Sequence, residues 1–172
     1  MSNVMTETYE QMKERHQNEF DEVTHNNECF FAFNNQQLHD GLQKAKEAGV
    51  TAKFKRGPLG SFCTDAAWER WKAQTKRHRA EMAEAMLDHE FAVDAFYWEM
   101  RNHEYSINWS GTEDVLACFD YEMKRIDSES DDEEVYEIVH IITGERFPEH
   151  LVRAFNDAKS RYWKDANENE WY

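Results

Sequence analysis

Apolar and polar positions along this chain follow two periods, and the helical one dominates. Over residues 6–23, Tyr9, Met12, His16, Phe20 and Val23 recur at three- and four-residue steps among Glu, Lys, Arg and Gln, which predicts an amphipathic helix. Residues 28–33 then form a short aromatic run flanked by Asn pairs, too short for a helix and rich in strand formers, so a buried strand is expected. Asn34 or Asn35 can cap a second helix running to about Ala48, with Gly49 as its terminating residue. Residues 50–55 alternate and suit a second strand, while residues 57–61, Gly-Pro-Leu-Gly-Ser, read as a turn or loop.

The longest helical stretch follows. Thr64 is placed to cap it, Asp65 favours the positive end of its dipole, and no Gly or Pro occurs between Ser61 and Ser110. Trp68, Trp71, Thr75, His78, Met82 and Ala85 keep a three-four rhythm, and the pattern changes near Asp88, where a break into two helices is expected. Residues 91–100 are apolar nearly all round, the mark of the most buried helix of a domain. Tyr105, Ile107 and Trp109 alternate as a third strand, and Thr112 can cap a short helix through Phe119.

Residues 135–142 are ambiguous: their β-branched content favours strand, yet Val135, Ile138, Val139 and Ile142 share a helical face, and the reading adopted is helix, stopped by Gly144. Pro148 opens a last helix with a stripe of Leu151, Phe155, Ala158 and Tyr162, and residues 167–172 are expected to fray. The expected fold is α+β: a mainly helical single domain, residues 1–172, with a small sheet of about three strands. An acidic linker, residues 127–134, would precede a C-terminal helical segment, residues 135–166.

Composition narrows the class. A chain of 172 residues with 24 aromatics can bury a core of its own and is not a disordered acidic tail. Three cysteines, Cys29, Cys63 and Cys118, are odd in number and form no CxxC pair, so free thiols in a reducing cytoplasm are expected, with Cys29 as inert core. The polar start argues against a signal peptide, and no apolar stretch is long enough to span a membrane.

Charge then changes the picture. The formal net charge is −15, and residues 127–172 hold thirteen Asp or Glu against five Lys or Arg, densest over residues 128–134. Such a surface disfavours anionic lipid and non-specific nucleic-acid binding, which needs cations to displace counterions. It suits a partner with a basic surface or groove.

Among groups that could carry chemistry, Glu99 and His103 stand four residues apart on one helical face, with Glu104 adjacent. They could hold a divalent metal, or His103 could act as a base oriented by Glu99. The plainer alternative is a polar pair at a helix end, with His103 stabilising the terminal carbonyls. The remaining histidines form no HExxH or HxH pattern, and no GxSxG elbow or phosphate loop occurs. Accordingly no catalytic residue and no cofactor are assigned, and an enzyme is not expected. Trp68 and Trp71 beside Arg70 and Lys72 could stack bases, with Lys53, Lys55, Arg56 and the stretch to Arg79 as cations, but core packing is the favoured role for the Trp pair.

Phe30-Phe31-Ala32-Phe33-Asn34-Asn35-Gln36-Gln37 with Gly41, then Phe96-Tyr97-Trp98-Glu99-Met100, then Asn102-His103-Glu104-Tyr105, form a set. Across roughly residues 29–119 it resembles a family of small proteins of unknown function encoded by bacteriophages and mobile elements. The resemblance implies a phage or plasmid setting and carries no activity with it.

These readings converge on an acidic, cytoplasmic protein-binding protein. Its sharper form is a phage- or plasmid-encoded inhibitor that blocks a host nucleic-acid-handling or defence complex as a nucleic-acid mimic. The expected contacts are Glu129, Asp131, Asp132, Glu133 and Glu134, joined by Glu168, Glu170 and Trp171 at an acidic-aromatic terminus. The expected partner is a host protein with a basic groove, with no direct nucleic-acid binding and no membrane. Residues 91–100 leave a homodimer open. The alternatives are a metal-dependent or acid/base enzyme centred on Glu99, His103 and Glu104, and a nucleic-acid-binding accessory protein.

Overall fold

A computed structural model describes residues 7–105, 109–126 and 135–171. The described chain is α+β and mainly helical, and it divides into two compact units, Met1–Ala83 and Glu84–Tyr172.

In the first unit, helix α1 (Tyr9–Thr24) begins at Thr8, whose hydroxyl accepts the Gln11 N–H while the Gln11 side chain accepts the Thr8 N–H. Strand β1 (Cys29–Phe31) leads through the Asn34 cap into α2 (Asn35–Glu47). Gly49, at φ 85°, takes the left-handed turn that a side chain would strain. Strand β2 (Phe54–Arg56), a 3-10 turn and β3 (Ser61–Thr64) follow, and β3 lies between β1 and β2, antiparallel to both. α2 lies so close to β1 that a Cβ on Gly41 would fall 2.3 Å from the Phe30 ring. Helix α3 (Asp65–Ala85) starts where Thr64 Oγ1 accepts the Ala67 N–H. The core gathers Cys29, Cys63, Ala67 and Trp71, with Phe20, Val23, Phe31 and Trp68 packed on it.

Two expectations are corrected here. Residues 61–64, read as the end of a loop and a cap, form the central strand of the sheet, because β1 and β2 supply hydrogen-bonding partners on both edges. Cys29 and Cys63 are not free thiols: they are register partners on β1 and β3, 4.1 Å apart at Cα, and are joined as a disulfide. Cys118 takes no part in that bond and is exposed.

In the second unit, Asp88 caps α4 (His89–Asn102) by accepting the Phe91 N–H, so the break near Asp88 falls where the composition changes. Phe91, Ala92, Ala95, Phe96, Glu99 and Met100 are buried, and α6 (Glu149–Glu168) packs along α4 through Leu151, Ala154, Ala158, Tyr162 and Ala166. Asp94 on α4 is exposed, so the helix is two-faced rather than apolar all round. Phe96 is fully buried, with the rings of Phe119, Phe155 and Phe147 at 4.9, 5.2 and 6.2 Å.

The strand expected at residues 105–109 falls largely on residues that are not described, and neither of its described ends, Tyr105 and Trp109, is in a strand. Residues 106–108 lie outside the described residues, and Trp109 opens α5 (Trp109–Ala117), which places Thr112 inside a helix rather than at its cap. Residues 135–140, read as helix, form strand β5 (Val135–His140), because β4 (Tyr121–Ile126) pairs with it antiparallel through six partners from Tyr121↔His140 to Ile126↔Val135. The C-terminal segment is therefore a hairpin strand followed by α6. Residues 167–171, expected to fray, are instead held: α6 runs to Glu168, the Trp171 N–H donates to the Ala166 carbonyl, and the Trp171 ring meets Tyr162 at 5.5 Å. Among the described residues no helix is long and apolar enough to cross a membrane.

Candidate functional site

The last turn of α4 and the end of α5 bring three different donor groups together. Glu99 and His103 share one helical face as expected, and His103 is the first residue past the helix, its N–H still donating to the Glu99 carbonyl at 2.9 Å. The third member is Cys118, directly after α5, and not Glu104. At Glu104 the backbone turns to φ 47° and leaves the helix, so the phasing that would have kept it beside Glu99 ends.

The three donor atoms lie within 4.8 Å of one another. His103 Nε2 stands 3.4 Å from Glu99 Oε2 and 3.4 Å from Cys118 Sγ. Glu99 is fully buried, the His103 side chain is about a third exposed (32%), and Cys118 is exposed, so the cluster is closed on one side and reaches water on the other. Asn102 Nδ2 donates to Glu99 Oε2 at 3.4 Å, and the Cys118 thiol donates to the Asp114 carbonyl at 3.3 Å. A nucleophilic Cys–His–acid relay needs thiol and carboxylate on opposite ring nitrogens, so that one proton passes through the imidazole. Here both approach the same nitrogen. That arrangement converges donors on a point and does not relay a proton.

The other predicted positions are dispersed. Glu129, Asp131, Asp132, Glu133 and Glu134 lie outside the described residues, but their place in the chain is set. Ile126 and Val135 are register partners, so residues 127–134 connect the two strands of one hairpin and carry six carboxylates in eight residues. Glu168 ends α6, Glu170 follows at φ 51°, and Trp171 lies under the Arg101 guanidinium, 5.4 Å from its ring centroid.

The basic residues of α3 are exposed, and several of these cations pair with carboxylates of their own unit. Arg70 pairs with Glu28 at 2.5 Å, Lys72 with Glu69 at 2.6 Å, and Arg77 with Glu19 and Glu81. Lys55 pairs with Asp65 at 2.8 Å. Trp71 is buried, and Trp68 meets it edge to face at 5.2 Å. The Trp pair is core, as favoured, and the cations beside it are largely engaged.

The same helix pair holds a network the sequence reading missed. The rings of His16 (α1) and His78 (α3) stack at 3.8 Å, His16 Nε2 meets Glu81 at 2.8 Å and His78 Nε2 meets Glu19 at 2.6 Å, while Arg15 bridges Glu7, Glu19 and Glu81. The hydrogen bond from His78, aided by Arg15 and Arg77, lowers the Glu19 carboxyl from 4.5 to about 2. Glu81 is lowered by His16 and then Arg15. His16 lay on the predicted apolar face, and only the facing helix reveals it as a hydrogen-bond partner of Glu81.

Neither the curated proteins nor the solved structures contain a significant match to this chain. A family model does match it, over most of its length and across both units: by residues 8–141 the chain belongs to the family of unknown function DUF7659.

Proposed function

We propose that this chain is an acidic protein-binding protein whose second unit engages a partner with a basic surface. The observation that carries the reading is where the charge sits. Residues 1–83 hold twelve acidic and twelve basic residues, whereas residues 84–172 hold twenty-three acidic and eight basic, so the whole formal charge of −15 belongs to one unit. Its densest part is residues 128–134, which lie in the chain between β4 and β5. Closely spaced carboxylates there can stand against the lysines and arginines of a groove that otherwise holds phosphates. In its sharper form the protein is a phage- or plasmid-encoded inhibitor of a host nucleic-acid-handling or defence complex. Ion pairing of Arg70, Lys72 and Arg77 within α3 and its neighbours weighs against direct binding of nucleic acid.

The test is affinity capture from host lysate with the whole chain and with a variant in which Glu129, Asp131, Asp132, Glu133 and Glu134 are changed to their amides. The reading expects a captured protein that is released by salt, displaced by added DNA or RNA, and lost with the variant. Identical captures by both chains would overturn it, as would a direct shift of labelled DNA or RNA by the purified protein.

A further inference from the structure

We infer that Glu99, His103 and Cys118 form a binding site for a single divalent zinc-type cation, independent of any acidic partner surface. The donor set is carboxylate oxygen, imidazole nitrogen and thiolate sulfur, the three ligand types that zinc takes, and hard ions such as Mg2+ and Ca2+ have no use for the sulfur. The spacing agrees. With metal–ligand bonds of about 2.0–2.3 Å at tetrahedral angles, neighbouring donors stand roughly 3.3–3.6 Å apart. His103 Nε2 is 3.4 Å from both of its neighbours. An ordinary N–H···O contact would be shorter, at about 2.9 Å.

Electrostatics point the same way. A thiolate and a carboxylate with a neutral imidazole balance the two charges of the ion, so the loaded site is neutral even though Glu99 is fully buried. The site also lies at the C-terminal ends of both α4 and α5, where the carbonyl ends of the helix dipoles favour a cation. Asn102 holds the Glu99 carboxylate from the side, as the outer partners of metal ligands do. Three protein donors with His103 and Cys118 open to solvent leave the fourth position to water or to an incoming ligand. Binding releases the Cys118 thiol proton, so affinity falls as the pH is lowered.

The probe is Co2+ alone, titrated into the whole, unreduced chain, followed by displacement with Zn2+. The expected result is one ion per chain with a thiolate-to-cobalt charge-transfer band in the near ultraviolet, abolished by stoichiometric Zn2+. Because Cys29 and Cys63 are bonded to one another, the band must come from Cys118. Cys118→Ser, at an exposed position, is expected to remove the band and weaken Zn2+ binding by at least about 100-fold, since losing even an outer partner costs about 10–100-fold. His103→Ala should weaken it comparably, whereas Glu104→Gln should leave it unchanged. No charge-transfer band, or a band that survives Cys118→Ser, would overturn the site.

Discussion

Glu19 offers the most direct measurement of how the first unit is held together. Replacing it by Gln keeps the shape and an accepting oxygen but removes the charge shared by His78, Arg15 and Arg77. A tenfold change in a protonation constant is about 1.4 kcal/mol, so lowering the carboxyl from 4.5 to about 2 corresponds to at most about 3 kcal/mol of folded-state stabilisation. The side chain is 27% exposed, and solvent screening brings the expected value for Glu19→Gln to about 1–2 kcal/mol. The sign follows from the direction of the shift. A carboxyl lowered on folding stabilises fully above its unfolded value near 4.5, and that contribution fades as the pH falls towards about 2. Urea unfolding of both chains, followed by circular dichroism, should show the full difference at neutral pH and a difference shrinking through that acid window. A variant as stable as the parent at neutral pH, or a deficit that stays constant down to about pH 2, would refute the ionic account.

Two further outcomes test the packing. Phe96→Ala removes the ring that Phe119, Phe147 and Phe155 surround, and should cost about 3–5 kcal/mol in chemical denaturation, with a loss under about 1 kcal/mol contradicting its central place. The Cys29–Cys63 bond closes a loop with a sequence separation of 34, worth about 3–4 kcal/mol by chain entropy. The unreduced chain should therefore titrate for one thiol and lose that stability under reductant. Three titratable thiols would contradict the bond.

Local chemistry made much of this fold legible. Asn34, Thr64 and Asp88 each satisfy free N–H groups within three residues, so their helices could be placed without knowledge of the rest. What failed was decided at a distance. Val135, Ile138, Val139 and Ile142 share a helical face while the segment's β-branched content favours strand, and the choice was made by Tyr121–Ile126, whose six-partner ladder offers the segment a strand. Ser61–Thr64 carries no strand signal beside its Gly-Pro turn, and becomes a strand because two edges meet it. Trp109, the last alternating position after Tyr105, instead opens α5. The candidate metal site divides along the same line. Glu99 and His103 follow from helical spacing, while Cys118 comes from the next helix, at no periodic distance from either.

Charge is decided by neighbours too. The lysines and arginines along α3 are candidates for a basic face, but a cation matters to a partner only after its own neighbours have been subtracted. In the first unit the two signs balance, and the carboxylates of α1 and α3 engage Arg15 and Arg77 in one network. In the second unit eight cations face twenty-three carboxylates, so internal pairs such as Arg161 with Asp94 at 2.6 Å leave most of the negative charge unneutralised. Carboxylates left over in this way repel one another and cost stability in the isolated chain. A basic partner would relieve that repulsion, so the proposed association should weaken with salt and fail when residues 129–134 are neutralised.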